Sequence, residues 1–234
     1  MRPRRSALAP LLLLLALLPA VASAAMSLSR AVVVFMPGDP QRQDIVVRNP
    51  DREPIYVKVE AAEIVNPGRP DQQRRVPRTP EDIDLLVTPN RLVLQPGQEK
   101  VVRLVSLKPP GDSERVYRVN LTPVVGKIES DSPLAIKVVV AYDTLVIVEP
   151  KKPRVQLIAR REGKRLTVTN NGNVYALLSN GRQCPVEGAA EDQCVELQGT
   201  RVYPGVEWGL DLPYDRPVEF DIESLQKHER RRFD

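Results

Sequence analysis

Short valine-rich runs, closed off one after another by proline, constrain this chain more than any other feature of it. Proline lacks an amide hydrogen and ends both helices and central strands. Spread between the apolar runs rather than gathered in a tract, the 23 prolines leave room for short strands and little else. No segment shows the apolar period of an amphipathic helix. The fold class expected is all-β.

The runs then define the strands. Ser29 to Phe35 is β-branched and ends at Pro37-Gly38-Asp39-Pro40, and Asp44 to Arg48 precedes the turn Asn49-Pro50-Asp51-Arg52. From Ile55 to Ile64, Tyr56, Lys58 and Glu60 alternate with Ile55, Val57 and Val59, the period of a half-buried antiparallel strand. Asn66 to Glu81 has no apolar period and carries Arg74, Arg75 and Arg78, which predicts an exposed loop. Arg91 to Leu94 and Lys100 to Leu107, joined by Gln95-Pro96-Gly97-Gln98, predict a hairpin. Arg115 to Thr122 and Leu134 to Val148 follow, the latter too long for an ordinary strand.

Pro150-Lys151-Lys152-Pro153 is the stiffest short linker, and the domain boundary is placed there. Beyond it the expected strands are Val155 to Ala159, Arg165 to Val168, Val174 to Leu178, Val206 to Leu210 and Val218 to Ile222. Two immunoglobulin-like β-sandwiches, residues 25–150 and 151–234, are the economical arrangement. Lys227 to Arg232, a basic run holding the single histidine His228, reads as a solvated, frayed terminus.

Residues 1–24 have the three parts of a cleavable secretory signal: Arg2, Arg4 and Arg5, then apolar Leu8 to Val21, then Ala22-Ser23-Ala24. Pro10 and Pro19 interrupt the apolar part, which is shorter than a spanning helix needs. Even Leu134 to Val148 contains Lys137 and Asp143, so no membrane insertion of the mature chain is expected. The signal carries three of the basic residues and no acid. The remainder is therefore close to charge balance, and no affinity for nucleic acid follows.

An exported chain meets an oxidising compartment, where Cys184 and Cys194, the only cysteines, are expected to join. Their spacing is neither a redox CxxC nor, with His228 remote, a zinc set. There is no Gly-rich phosphate loop, no GxSxG elbow and no histidine in a domain interior. Glu81 with Asp82 and Asp84, and Glu191 with Asp192, lie in polar loop contexts, and Asn120-Leu121-Thr122 falls mid-strand. No catalytic residue, metal or cofactor is expected.

Several ordered segments together resemble one family, the periplasmic chaperones of fimbrial (pilus) subunits. In the first half these are Ser29 to Val33, Pro89 to Gln98 with its return strand Val101-Val102-Arg103-Leu104, and Glu114 to Leu121. In the second they are Thr169 to Asn173, Asn180 to Cys184 and Tyr203 to Trp208, which look closest to the alternate-usher branch serving CFA/I-like pili. The resemblance implies two immunoglobulin-like domains at an angle, a periplasmic location, and pilus subunits and an outer-membrane usher as partners. It also implies a mechanism. A subunit lacking its final strand exposes an apolar groove, and the chaperone lends the last strand of its first domain by β-strand addition.

Here the donated side chains would be Leu134, Ile136, Val138 and Val140, while Leu145 to Val148 fill the chaperone's own core. The family anchors the subunit's terminal carboxylate in the interdomain cleft with an arginine and a lysine. Arg30 matches the arginine. Where the lysine should fall the chain reads Asp143-Thr144-Leu145, which leaves Thr144 as a hydroxyl donor and Arg118 as a second cation. The competing class is an exported structural or adhesive pilus protein with β-sandwich domains. A self-assembling pilus protein would present an open groove or an amino-terminal extension, whereas this chain supplies a full strand set and one over-long strand. A sugar- or peptide-binding module lacks support from aromatic residues, Trp208 being the only tryptophan.

Overall fold

The computed structural model describes residues 26–124, 139–224 and 227–234. The first half contains β1 (Ser27–Leu28), β2 (Val32–Phe35), β3 (Arg42–Arg48), β4 (Ile55–Val65), β5 (Gln73–Arg75), β6 (Leu85–Thr88), β7 (Arg91–Leu94), β8 (Glu99–Ser106), β9 (Arg115–Pro123) and β10 (Tyr142–Val148). They form one sheet in the order β1-β3-β8-β6 and a second in the order β2-β10-β9-β4-β5, with β7 also on β4. The second half contains β11 (Leu157–Glu162), β12 (Arg165–Asn170), β13 (Ala176–Gln183), β14 (Val195–Leu197), β15 (Thr200–Val202), β16 (Glu207–Asp211), β17 (Val218–Ser224) and β18 (Lys227–Phe233). Its sheets run β11-β12-β16 and β14-β13-β17-β18, with β15 also on β13. The protein is thus all-β, two immunoglobulin-like sandwiches in sequence.

Alternation builds the first core. Ile45 and Val47 of β3, Val102 and Leu104 of β8, Val57 and Val59 of β4, and Val146 and Val148 of β10 all point inward and are almost wholly buried. Two inner faces filled with branched side chains are what hold a sandwich together. Burying one such side chain is worth roughly 1.5–3 kcal/mol.

Alternation on β4, β9 and β10 does not leave the opposite face wet throughout. Ile64, Val116, Leu145 and Ile147 lie on the outer side of the second sheet and form one apolar cluster with Leu166, Val168 and Tyr175 of the second half. Leu145 to Val148 is therefore buried on both faces, one facing each core. Polar contacts reinforce the junction: the Asn173 side chain donates to the Asp112 carbonyl at 2.8 Å, and Arg69 Nη2 donates to that of Gly205 at 3.2 Å.

Both sandwiches turn the same corner. Asn49 donates through Nδ2 to the carbonyls of Glu53 at 2.7 Å and Leu94 at 3.0 Å, and accepts the Asp51 N–H at 2.9 Å. Asn170 donates to Val174 and Val202, both at 2.9 Å, and accepts the Gly172 N–H at 2.9 Å. In each, the asparagine carbonyl takes an N–H from a proline-glycine turn, Gly97 at 2.8 Å and Gly205 at 2.7 Å. Those glycines have φ of +70° and +68°, which a side chain disfavours.

Five expectations are corrected. Arg91 to Leu94 and Lys100 to Leu107 are not a hairpin: β7 pairs with β4, β8 pairs with β3, and the Pro96-Gly97 turn crosses between sheets. The corner at Asn49 already separates β3 from β4, so each arm completes a different sheet over the same core. Ser29 to Phe35 is likewise divided, with β1 on β3 and β2 on β10. Asn66 to Glu81 is not all loop, because β5 pairs with the end of β4 and Arg75 forms an ion pair with Glu63. The basic tail is not frayed: β18 pairs along all of β17, Arg230 bonds Asp221 at 2.9 Å, and Phe233 packs on Phe220 with ring centroids 6.4 Å apart. Leu134 to Val148 is not one strand, since β10 begins at Tyr142. Leu134, Ile136 and Val138 lie outside the described residues, and Val139 and Val140 precede β10 without strand pairing.

Strands Leu85–Thr88, Val195–Leu197 and Thr200–Val202 have no counterpart among the sequence expectations. The disulfide is as expected, Cys184 to Cys194.

Candidate functional site

The last strand of the first sandwich is paired unequally along its two edges. On one side β9 accompanies it from Tyr142 to Val148. On the other, β2 runs parallel to it only from Leu145 to Val148, after which the Leu145 N–H reaches the Ala31 carbonyl at 3.0 Å. Among the described residues nothing pairs with that edge at Tyr142 to Thr144. The chain is pulled away there because β1 crosses to the other sheet, where Leu28 pairs with Val47. A row of backbone donors and acceptors is thus left open beside the exposed apolar residues Val139 and Val140.

Arg30 stands at this open end, one residue before Ala31. It is exposed and donates through Nη1 to Gln43 Oε1 at 3.3 Å, with no ion pair among the described residues. Arg118 lies opposite Leu145 on β9, on the outer face shared with Val116. Thr144 points the other way: it is wholly buried on the interior face with Val146 and Val148, and its Oγ1 has no hydrogen-bond partner among the described residues. The open end therefore brings Arg30 and Arg118 to one region and sets Thr144 on the far side of the sheet.

Two cleft residues escaped sequence reading in this role. Asp143 and Arg74 share the outer face with Arg118, and Arg74 Nη1 approaches Asp143 Oδ1 at 3.3 Å. Arg74 is visible in sequence only as one of a basic loop cluster, and nothing local relates it to a residue on β10.

Nearer the junction of the sandwiches, Glu114 Oε2 accepts the Tyr175 N–H at 2.9 Å. Burial pushes its carboxyl up to about 7, partly offset by that bond and by Arg201, while the nearby Glu149 carboxylate pushes it further up. Arg201 sits over the Tyr175 ring at 4.6 Å from the centroid.

Residues 25–154 match the family described as pili and flagellar-assembly chaperone, PapD N-terminal domain. The chain belongs to that family. Its members are chaperones, a non-enzymatic class of the periplasm. Among curated relatives it is similar to a CFA/I fimbrial protein of Escherichia coli, 28% identical over 68% of each chain. The probable fimbrial chaperone EcpE of Escherichia coli strain K12 is 27% identical over 68% of this chain and 70% of its own. Solved structures share the fold. The class 5 fimbriae chaperone CfaA superposes with a TM-score of 0.63 at 23% identity, covering 89% of this chain and 97% of its own. The SafB chaperone in complex with the Salmonella enterica pilin SafA gives 0.61 at 19% identity, covering 87% and 91%. Among the described residues of this family member, no helix is long and apolar enough to cross a membrane.

Proposed function

We propose that this chain is a periplasmic chaperone that binds, stabilises and delivers pilus subunits to an outer-membrane usher by lending them a strand. The observation that carries the reading is the half-paired edge of β10, open from Thr144 toward its amino terminus beside exposed Val139 and Val140. A subunit strand added there extends an existing sheet by main-chain hydrogen bonds, and alternate apolar side chains of the lender enter the subunit's groove. Leu134, Ile136, Val138 and Val140 are the side chains assigned to that groove. Similarity to CFA/I-type proteins supports the alternate-usher branch.

Arg30 and Arg118 are assigned the subunit's terminal carboxylate, which a guanidinium fork grips in two bonds. Thr144 belongs to the same stretch of β10 and contributes from the interior face. Residues 1–24 act as the export signal, cleaved on secretion, with residues 25–150 as the subunit-binding domain and 151–234 as the second. No catalytic chemistry is assigned.

The test is capture of the pilus subunit encoded beside this protein, co-expressed and co-purified from periplasm. Replacing Ile136 and Val138 together with Asp should abolish capture, because two carboxylates would enter an apolar groove at a combined cost of several kcal/mol. Lys137→Gln should change capture little. A double variant that melts like the parent and still captures its partner at full yield would sink the reading.

A further inference from the structure

Three charged side chains meet on the outer face of the second sheet, at the open end of β10, and their charges do not balance. Arg74 of β5 directs Nη1 and Nη2 at Asp143 Oδ1, at 3.3 and 3.4 Å. Arg118 of β9 donates through Nη1 to the Asp143 main-chain carbonyl at 3.2 Å, and its Nε lies 3.8 Å from Oδ2. Among the described residues neither guanidinium pairs with another acid, so two cations share one carboxylate. The side chains stay 38%, 34% and 47% exposed for Arg74, Arg118 and Asp143, open to an arriving group. The contacts are also longer than the roughly 2.7–2.9 Å of a well-made charge-assisted bond. A cluster with surplus positive charge and loosely held donors has unused capacity for a second anion.

Position says which anion. Asp143 lies on the last stretch of β10 whose β2-side edge is open, so a strand added to that edge passes beside the cluster. We infer that Asp143 is a built-in competitor: it occupies Arg74 and Arg118 in the free protein, and a carboxylate ligand at the end of an added strand displaces it. This rests on the strand-lending function proposed above. Arg74 thereby becomes a binding residue supplied by the short β5, and Asp143 sets how strongly a carboxylate must bind to open the site. An amidated or neutral chain end would leave Asp143 in place, which makes the exchange a filter for free carboxyl termini.

The exchange can be followed in the folded full chain with acetate as the probe, through the Nε–H resonances of Arg74 and Arg118. Sodium chloride at matched ionic strength is the control. Asp143→Asn, a neutral isostere at an exposed site, should lower the acetate midpoint by roughly two- to fivefold, the factor expected for losing one exposed ion pair. Asp143→Ala should do the same. Identical midpoints in parent and both variants, or an acetate response no different from chloride, would overturn the inference. Capture of the pilus subunit with unchanged acetate midpoints would overturn this exchange alone. Lowered midpoints in a chain that captures no pilus subunit would instead overturn the strand-lending function and leave a carboxylate site standing.

Discussion

At the scale of single residues, Glu114 is the group whose behaviour departs furthest from its free form. Its carboxyl is raised from 4.5 to about 7 because burial disfavours the charge more than the Tyr175 N–H and Arg201 favour it. The folded protein thus holds the proton more tightly than the unfolded chain. Stability falls as pH rises from about 4.5 to about 7 and levels off above that. Glu114→Gln keeps an acceptor for the Tyr175 N–H and removes the titration. Urea unfolding at pH 5 and pH 8 should show the variant gaining on the parent between the two, by up to ~3 kcal/mol. An equal difference at both pH values would contradict this.

The paired asparagines offer a second residue-level outcome. Replacing Asn170 with Ala strands two carbonyls and one N–H that are fully enclosed. The expected loss is roughly 2–4 kcal/mol in thermal or urea unfolding, and Asn49→Ala should match it in the other sandwich. Neither asparagine stands out in sequence, where both look like ordinary turn residues. Their role depends on strand carbonyls at Leu94 and Val202 that only the fold brings near.

Elements are legible in the sequence where burial sets the pattern and hidden where charge does. Val57 and Val59, or Val102 and Leu104, alternate with polar neighbours because one face is dry, and the strands expected there are the strands observed. Strands β5 and β18 carry no such period: the first is held by Arg75 on Glu63, the second by Arg230 on Glu219 and Asp221. Edge strands rich in charge also resist pairing with other chains, which suits the border of a sheet. If β18 is structural, Phe233→Ala should cost roughly 3–5 kcal/mol, since the ring is buried against Phe220. A frayed tail would lose well under 1 kcal/mol, and thermal melting separates the two. The false hairpin has a different source. The Pro96-Gly97 turn is genuine, but local sequence cannot say whether its arms lie in one sheet or face each other across a core.

For the whole molecule, what sequence concealed is that the first sandwich is apolar on both sides of one sheet. Ala62, Ile64 and Val116 interrupt or oppose the simple alternation because the outer face meets the second sandwich. The same packing explains why Leu145 to Val148 is continuous in apolar character and closed to any partner, while the strand's other end is open. The carboxylate cluster is only partly legible for a related reason. Arg118 can be singled out in sequence, but Arg74 and Asp143 join it through the register of β5, β9 and β10.

A strand with one closed and one open end is the central claim, and amide hydrogen exchange with and without the captured partner tests it most directly. Strand lending predicts that residues 145–148 are already slow in the free protein, whereas 134–144 become strongly protected only in the complex. Protection that left 134–144 unchanged and appeared elsewhere on the chain would contradict it.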